Sequence, residues 1–105
     1  MEENMHCFQK LGLTQYESMA LAALAAKNEA TALDIAEKSC IPYTKIYSVL
    51  VSLEKQGFIK SSLERPKVYS ALKPEVIFDL FIKKKENELE YFREKTAETL
   101  KAFAV

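Results

Sequence analysis

Between Pro42 and Gln56 the chain carries Tyr43, Thr44, Lys45, Tyr47, Ser48, Ser52 and Lys55. Stepped as a helix at about 100° per residue, Ile46, Val49, Leu50 and Leu53 gather on one side. Thr44, Ser48, Val51 and Lys55 gather on the opposite side, flanked by Lys45, Tyr47 and Ser52, while Glu54 projects sideways. The face that cannot be core is therefore short, hydroxylic and basic, with no carboxylate at its centre. Hydroxyls and ammonium groups suit a duplex groove, where base edges offer donors and acceptors and phosphates line the rim. Further on, Arg65 and Lys67 bracket Pro66. Two cations on a stiffened tip suit flanking phosphates or an adjacent minor groove. The DNA-facing set is expected to be Thr31, Tyr43, Thr44, Lys45, Tyr47, Ser48, Ser52, Lys55, Arg65 and Lys67. The tyrosines Tyr43 and Tyr47 have two uses open to them, stacking on sugar or base and covering the core.

The elements that would position these residues follow from capping and periodicity. Thr14-x-x-Glu17 has the form of a capping box, with Leu13 before it as a hydrophobic staple. It predicts a helix over 14–27 with Tyr16, Ala20, Leu21, Leu24 and Ala25 on one stripe. Thr31-x-x-Asp34 repeats the logic for a shorter helix over 31–39. After a break at Ser39-Cys40-Ile41, Pro42 opens a third helix that Gly57 ends. The period then changes to that of strands over 58–62 and 67–72, joined by the tip Leu63-Glu64-Arg65-Pro66. Such a ribbon must lean on the helices to be stable. Met1–Lys10 reads as a polar lead anchored by Phe8 and Leu11.

Pro74 opens a last helix that no glycine or proline interrupts. Val76, Ile77, Leu80 and Phe81 are followed by Lys83-Lys84-Lys85, then by Leu89, Phe92, Thr96, Leu100 and Phe103 at steps of three and four. The second series is a coiled-coil seam expected to meet a partner helix. The organisation expected is a DNA-binding domain over 1–73 and a dimerisation helix over 74–105.

Composition narrows the classes. The 105 residues hold 15 basic and 15 acidic side chains, but residues 38–73 carry seven basic against two acidic. A local positive patch attracts polyanions even at zero net charge. Two glycines and three prolines are poor material for an all-β fold. No apolar run approaches the ~18 residues of a membrane span, and no signal peptide opens the chain, so a cytoplasmic protein without a membrane role is expected. Cys7 and Cys40 are too few for a disulfide framework, and with His6 they form no zinc spacing. Cys40, just before the third helix, invites a redox-switch reading through a lowered thiol pKa; the simpler reading is a small buried filler. No nucleophile–base–acid set, phosphate-binding glycine loop or paired carboxylates appear, so no enzyme, metal or cofactor is expected.

Helix, tight turn, helix and β-hairpin in this order make a winged helix-turn-helix, mainly α with a small hairpin and here a long C-terminal helix. On Leu11-Gly12-Leu13-Thr14, Ile41-Pro42, Ile46-Tyr47, Leu50, Leu53-Glu54-Lys55, Gly57, Pro66 and Tyr69, residues 10–80 resemble the DNA-binding domain of the TrmB family of transcriptional regulators, found mostly in archaea. The resemblance implies that Thr44, Lys45, Tyr47 and Ser48 lie in a recognition helix, that Arg65 to Lys67 lie in a wing, and that the long last helix dimerises. The sequence stops before the sugar-binding domain of larger members, so an effector function is not carried over. It also has Cys40 where the family often has glycine; a left-handed turn there would cost roughly 1 kcal/mol.

The function expected is a sequence-specific transcriptional regulator acting as a homodimer on promoter DNA. The alternative is a winged-helix protein–protein module, which would show more apolar or acidic residues on the Thr44–Ser48–Lys55 face.

Overall fold

In the computed structural model, which describes residues 2–104, five helices and one hairpin follow in the order α1 (Glu2–Lys10), α2 (Gln15–Ala25), α3 (Ala32–Ser39), α4 (Tyr43–Lys55), β1 (Ile59–Ser61), β2 (Tyr69–Ala71) and α5 (Pro74–Phe103). One compact unit runs to Pro74 and a second begins at Glu75.

The first unit is built around α2. Thr14 caps it, its hydroxyl accepting from the Glu17 N–H at 3.1 Å while Glu17 Oε1 accepts from the Thr14 N–H at 2.9 Å. Helix α2 packs against α1, α3, α4 and β2. It is therefore buried nearly all round: Ala20 to Leu24 are all core, and so are Glu17 and Ser18. The expected single stripe was too narrow, and Tyr16 and Ala25 fall outside the buried set. Alanine makes this possible, because a small side chain lets neighbouring helices approach from several directions.

Met1–Lys10, expected as a lead, is helical from Glu2. Phe8 is its buried anchor, and Gly12 (φ 108°) turns the chain into Leu13, also buried. Helix α3 begins at the Thr31 cap and ends at Cys40, which is left-handed at φ 57°, ψ 31°. Cys40 is exposed, which overturns the buried-filler expectation. Helix α4 buries Ile46, Val49, Leu50 and Leu53. Ile46 and Leu53 are wholly inaccessible, and each such burial contributes about 1.5–3 kcal/mol. Gly57 at φ 86° ends the helix and hands the chain to β1.

Strands β1 and β2 are shorter than expected and pair antiparallel, with Ile59 opposite Ala71 and Ser61 opposite Tyr69. The ribbon leans on the helical layer through a bridge that the sequence did not announce. Ala30 N–H donates to Tyr69 O at 3.0 Å, and Tyr69 N–H donates to Ala30 O at 2.8 Å. Phe58, Ile59 and Tyr69 are buried beneath it.

Helix α5 is thirty residues long. Ile77 and Phe81 are buried. From Ile82 to Ala104 every side chain is exposed. No helix among the described residues is long and apolar enough to cross a membrane.

Candidate nucleic-acid interface

The turn between α3 and α4 is closed by backbone groups. The Cys40 and Ile41 N–H groups both donate to Ala36 O, and Ile41 is buried. Pro42, extended at φ −55°, ψ 138°, is the residue just before α4 rather than its first helical one. Its carbonyl accepts from Lys45 N–H at 2.8 Å and Ile46 N–H at 3.2 Å.

With Ile46, Val49, Leu50 and Leu53 inside, Tyr43, Thr44, Lys45, Tyr47, Ser48, Val51 and Lys55 are exposed. Ser48 Oγ donates to Lys45 O at 2.9 Å, so its oxygen lone pairs face outward as acceptors. Tyr43 and Tyr47 are half exposed and meet edge to face, ring centroids 6.2 Å apart. The Tyr43 pKa is raised, first by its hydrogen bond with Tyr47 and then by partial burial and by the nearby Tyr47 and Glu37 charges. Its hydroxyl is therefore a neutral donor across the physiological range.

Ser52 departs from expectation. Its hydroxyl donates to Glu17 Oε2 at 2.5 Å, and Gln56 Nε2 donates to the same oxygen at 2.9 Å. Ser52 is part-buried against α2 and belongs to the support of the helix, not to its outward face. The opposite flank of α4 is tied as well, because Ser61 Oγ of β1 donates to Glu54 Oε1. Neither carboxylate was singled out from sequence as a support. A polar pair at 52 and 56, one turn apart on the flank, is the signal that could have pointed to an inward acceptor.

Glu17 is only 8 % exposed. Burial alone would raise its pKa, but hydrogen bonds from Ser52, the Thr14 backbone and Gln56 outweigh that and hold it below the ordinary glutamate range. The carboxylate is thus ionised when the support is assembled.

The wing tip is closed by Ser62, whose N–H donates to Val68 O at 2.9 Å and whose Oγ accepts from Val68 N–H at 2.9 Å. The Arg65–Pro66 peptide is cis. Arg65, Pro66 and Lys67 are exposed, and the Lys67 ammonium sits 5.8 Å from the centre of the Tyr69 ring. Burial first, and then the nearby Glu54 and Tyr47 charges, raise the Tyr69 pKa. Tyr69 is therefore neutral under its cation.

Between the wing and the start of α4 lies a groove of about 420 Å³ lined by Thr31, Leu33, Tyr43, Tyr47, Arg65 and Lys67, among others. Five of the expected residues, from three separate stretches of chain, thus share one concavity. Thr31 does two jobs there: it lines the groove, and its hydroxyl caps α3 by accepting from the Asp34 N–H at 3.3 Å. Thr44, Lys45, Ser48 and Lys55 continue the surface along α4. Leu33, 46 % exposed, is a groove residue that the sequence reading did not select.

On α5, Leu89, Phe92, Leu100 and Phe103 are between half and four-fifths exposed, with Thr96 exposed among them. Tyr91 meets Phe92 edge to face at 6.0 Å, and Lys85–Glu88, Glu90–Arg93 and Lys95–Glu98 are ion pairs along the helix surface. Among the described residues no three His, Cys, Asp or Glu side chains converge as metal ligands.

Residues 8–75 match the family described as sugar-specific transcriptional regulator TrmB. The sugar-sensing transcriptional regulator TrmBL1 of Pyrococcus furiosus is 38 % identical over 78 residues, covering 74 % of this chain and 23 % of that protein. The DNA-binding transcriptional repressor TrmBL2 of Thermococcus kodakarensis is 34 % identical over 90 residues, covering 86 % of this chain and 31 % of that one. Among solved structures, TrmBL2, described as an archaeal chromatin protein with a novel mode of DNA binding, superposes with a TM-score of 0.79 at 29 % identity, over 98 % of this chain and 42 % of that one. The chain spans less than a third of the length of these curated relatives.

Proposed function

The chain belongs to the TrmB family of transcriptional regulators, and we propose that it binds promoter DNA sequence-specifically as a homodimer, in the cytoplasm and without catalysing a reaction. The observation that carries this reading is the joint placement of the exposed α4 face and the cationic wing around one groove. Lys45, Lys55, Arg65 and Lys67 neutralise phosphates and release their counterions. Thr44 and Ser48 offer hydroxyls to base edges, and Val51, half exposed on the same face, suits a thymine methyl. The 1–73 segment would serve as the DNA-binding part and 74–105 as the dimerising part. The Leu89–Phe103 seam of two copies would pair and fix the distance between two recognition helices. A two-fold protein calls for an inverted-repeat site with half-sites about one helical turn apart.

Selection of bound fragments from random duplex DNA tests this reading. An enriched inverted repeat is the expected result. A pool that stays random after repeated rounds at low salt overturns it and favours a protein–protein module.

A further inference from the structure

We propose that Glu17 sets the roll of the recognition helix about its own axis, and is therefore a positioning residue for base reading. The inference rests on the reading of α4 as the helix that enters the groove. Four apolar side chains hold α4 to the domain. Burial of that stripe fixes the roll of α4 coarsely, but because apolar attraction is non-directional it leaves the fine setting to other contacts. The fine setting of roll falls to directional bonds, and α4 has them on both flanks. On one flank Glu54 takes the Ser61 hydroxyl of the hairpin. On the other, Glu17 Oε2 takes both Ser52 Oγ and Gln56 Nε2, while Oε1 closes the cap of its own helix on the Thr14 N–H. Gln56 Nε2 also reaches Ser52 O at 3.3 Å and Ser52 Oγ at 3.2 Å, so the donors on this flank converge on one carboxylate.

Consequences for binding differ by contact type. Thr44 and Ser48 have short side chains, and a small roll carries their hydroxyls away from a base edge. Lys45, Lys55, Arg65 and Lys67 have long stems that follow a phosphate through the same roll. Loss of the Glu17 support is thus expected to lower selectivity while leaving sequence-independent affinity in place.

The test measures binding of the full chain to its selected duplex and to a scrambled duplex of equal length at fixed salt. Glu17→Gln keeps an acceptor for Thr14 but presents an amide to Ser52 and Gln56. Gln56 then has to turn its own amide over and give up its bonds to Ser52. The expected result is a selective-to-scrambled ratio lowered roughly tenfold, about 1.4 kcal/mol, with scrambled binding within about twofold of wild type. Gln56→Glu, which sets two carboxylates face to face, is expected to lower the ratio too. The exchange pair Glu17→Gln with Gln56→Glu restores one carboxylate and one amide and is expected to regain most of the loss. Circular dichroism melts confirm that each variant is folded. A selective wild type with an unchanged Glu17→Gln ratio, or an exchange pair no better than the two losses added, overturns this role alone. A wild type that prefers no duplex overturns the DNA reading and this role with it.

Discussion

The Ile41 amide donates to the Ala36 carbonyl, five residues back, at 3.1 Å. The chain closes that turn because Cys40, between them, is left-handed at φ 57°. This is the helix ending in which a 6→1 bond spans one left-handed residue, and it aims Pro42 and the whole of α4. A Cβ in that region is disfavoured, so a non-glycine residue stores strain at the hinge of the helix pair.

Cys40→Gly should therefore raise stability by up to about 1 kcal/mol, partly offset by the freer unfolded chain. A denaturant titration read at the midpoint checks it. Cys40→Val should lower stability, since a β-branched residue tolerates positive φ least. Equal midpoints for all three proteins would mean that this turn carries no such strain.

Glu17 gives the pH dependence. Its pKa lies below the ordinary value in the folded protein, so its bonds add stability that is fully present above the unfolded value and is lost as pH falls through the folded one. Glu17→Gln should be less stable than wild type at pH 7 by about 1–2 kcal/mol. The two stability curves should converge as pH drops below about 4.5. Urea unfolding at a series of pH values checks this; a gap that stays constant from neutral to acid pH would show that the carboxylate charge is not what Ser52 and Gln56 hold.

Local chemistry made much of this molecule readable. Thr14 and Glu17 announce a capping box because both bonds lie within one turn, and both form. The outward face of α4 follows from the helical step because its buried residues are large and evenly spaced. Ser52 was misplaced for a definite reason. It sits about 120° from the Ile46 pole, where the step alone leaves a side chain free to face in or out, and the deciding partner is 35 positions away. The bridge between Ala30 and Tyr69 was silent because backbone pairing of single residues leaves no pattern in side-chain type. Helix α1 was missed because only Phe8, among its described side chains, is buried.

Phosphate and base contacts should separate in salt. Thr44→Ala, on the face of α4, should weaken binding to the selected site by about 1 kcal/mol and leave the scrambled duplex and the salt slope unchanged. Lys67→Ala, on the wing, should weaken selected and scrambled duplexes about equally and reduce the slope of log K against log salt by about one. Anisotropy titrations between low and moderate salt measure both. Binding that does not change with salt would remove the phosphate contacts from the mechanism.

The seam on α5 gives the last expectation. Leu89 is 52 % and Phe92 63 % exposed, a poor state for two large apolar side chains one turn apart on a helix. Pairing with the same seam of a second copy removes that surface from water, at about 25 cal/mol for each Å² buried. Leu89→Asp with Phe92→Asp puts two carboxylates into such a seam, where burying a charge without a partner is strongly unfavourable. Sedimentation should then show monomers where the unaltered chain shows dimers, and affinity for an inverted repeat should fall toward that for a single half-site. Substitution on the far side of the same turn, such as Glu90→Lys, should leave the dimer intact. A doubly substituted chain that sediments as an unchanged dimer would place the interface elsewhere.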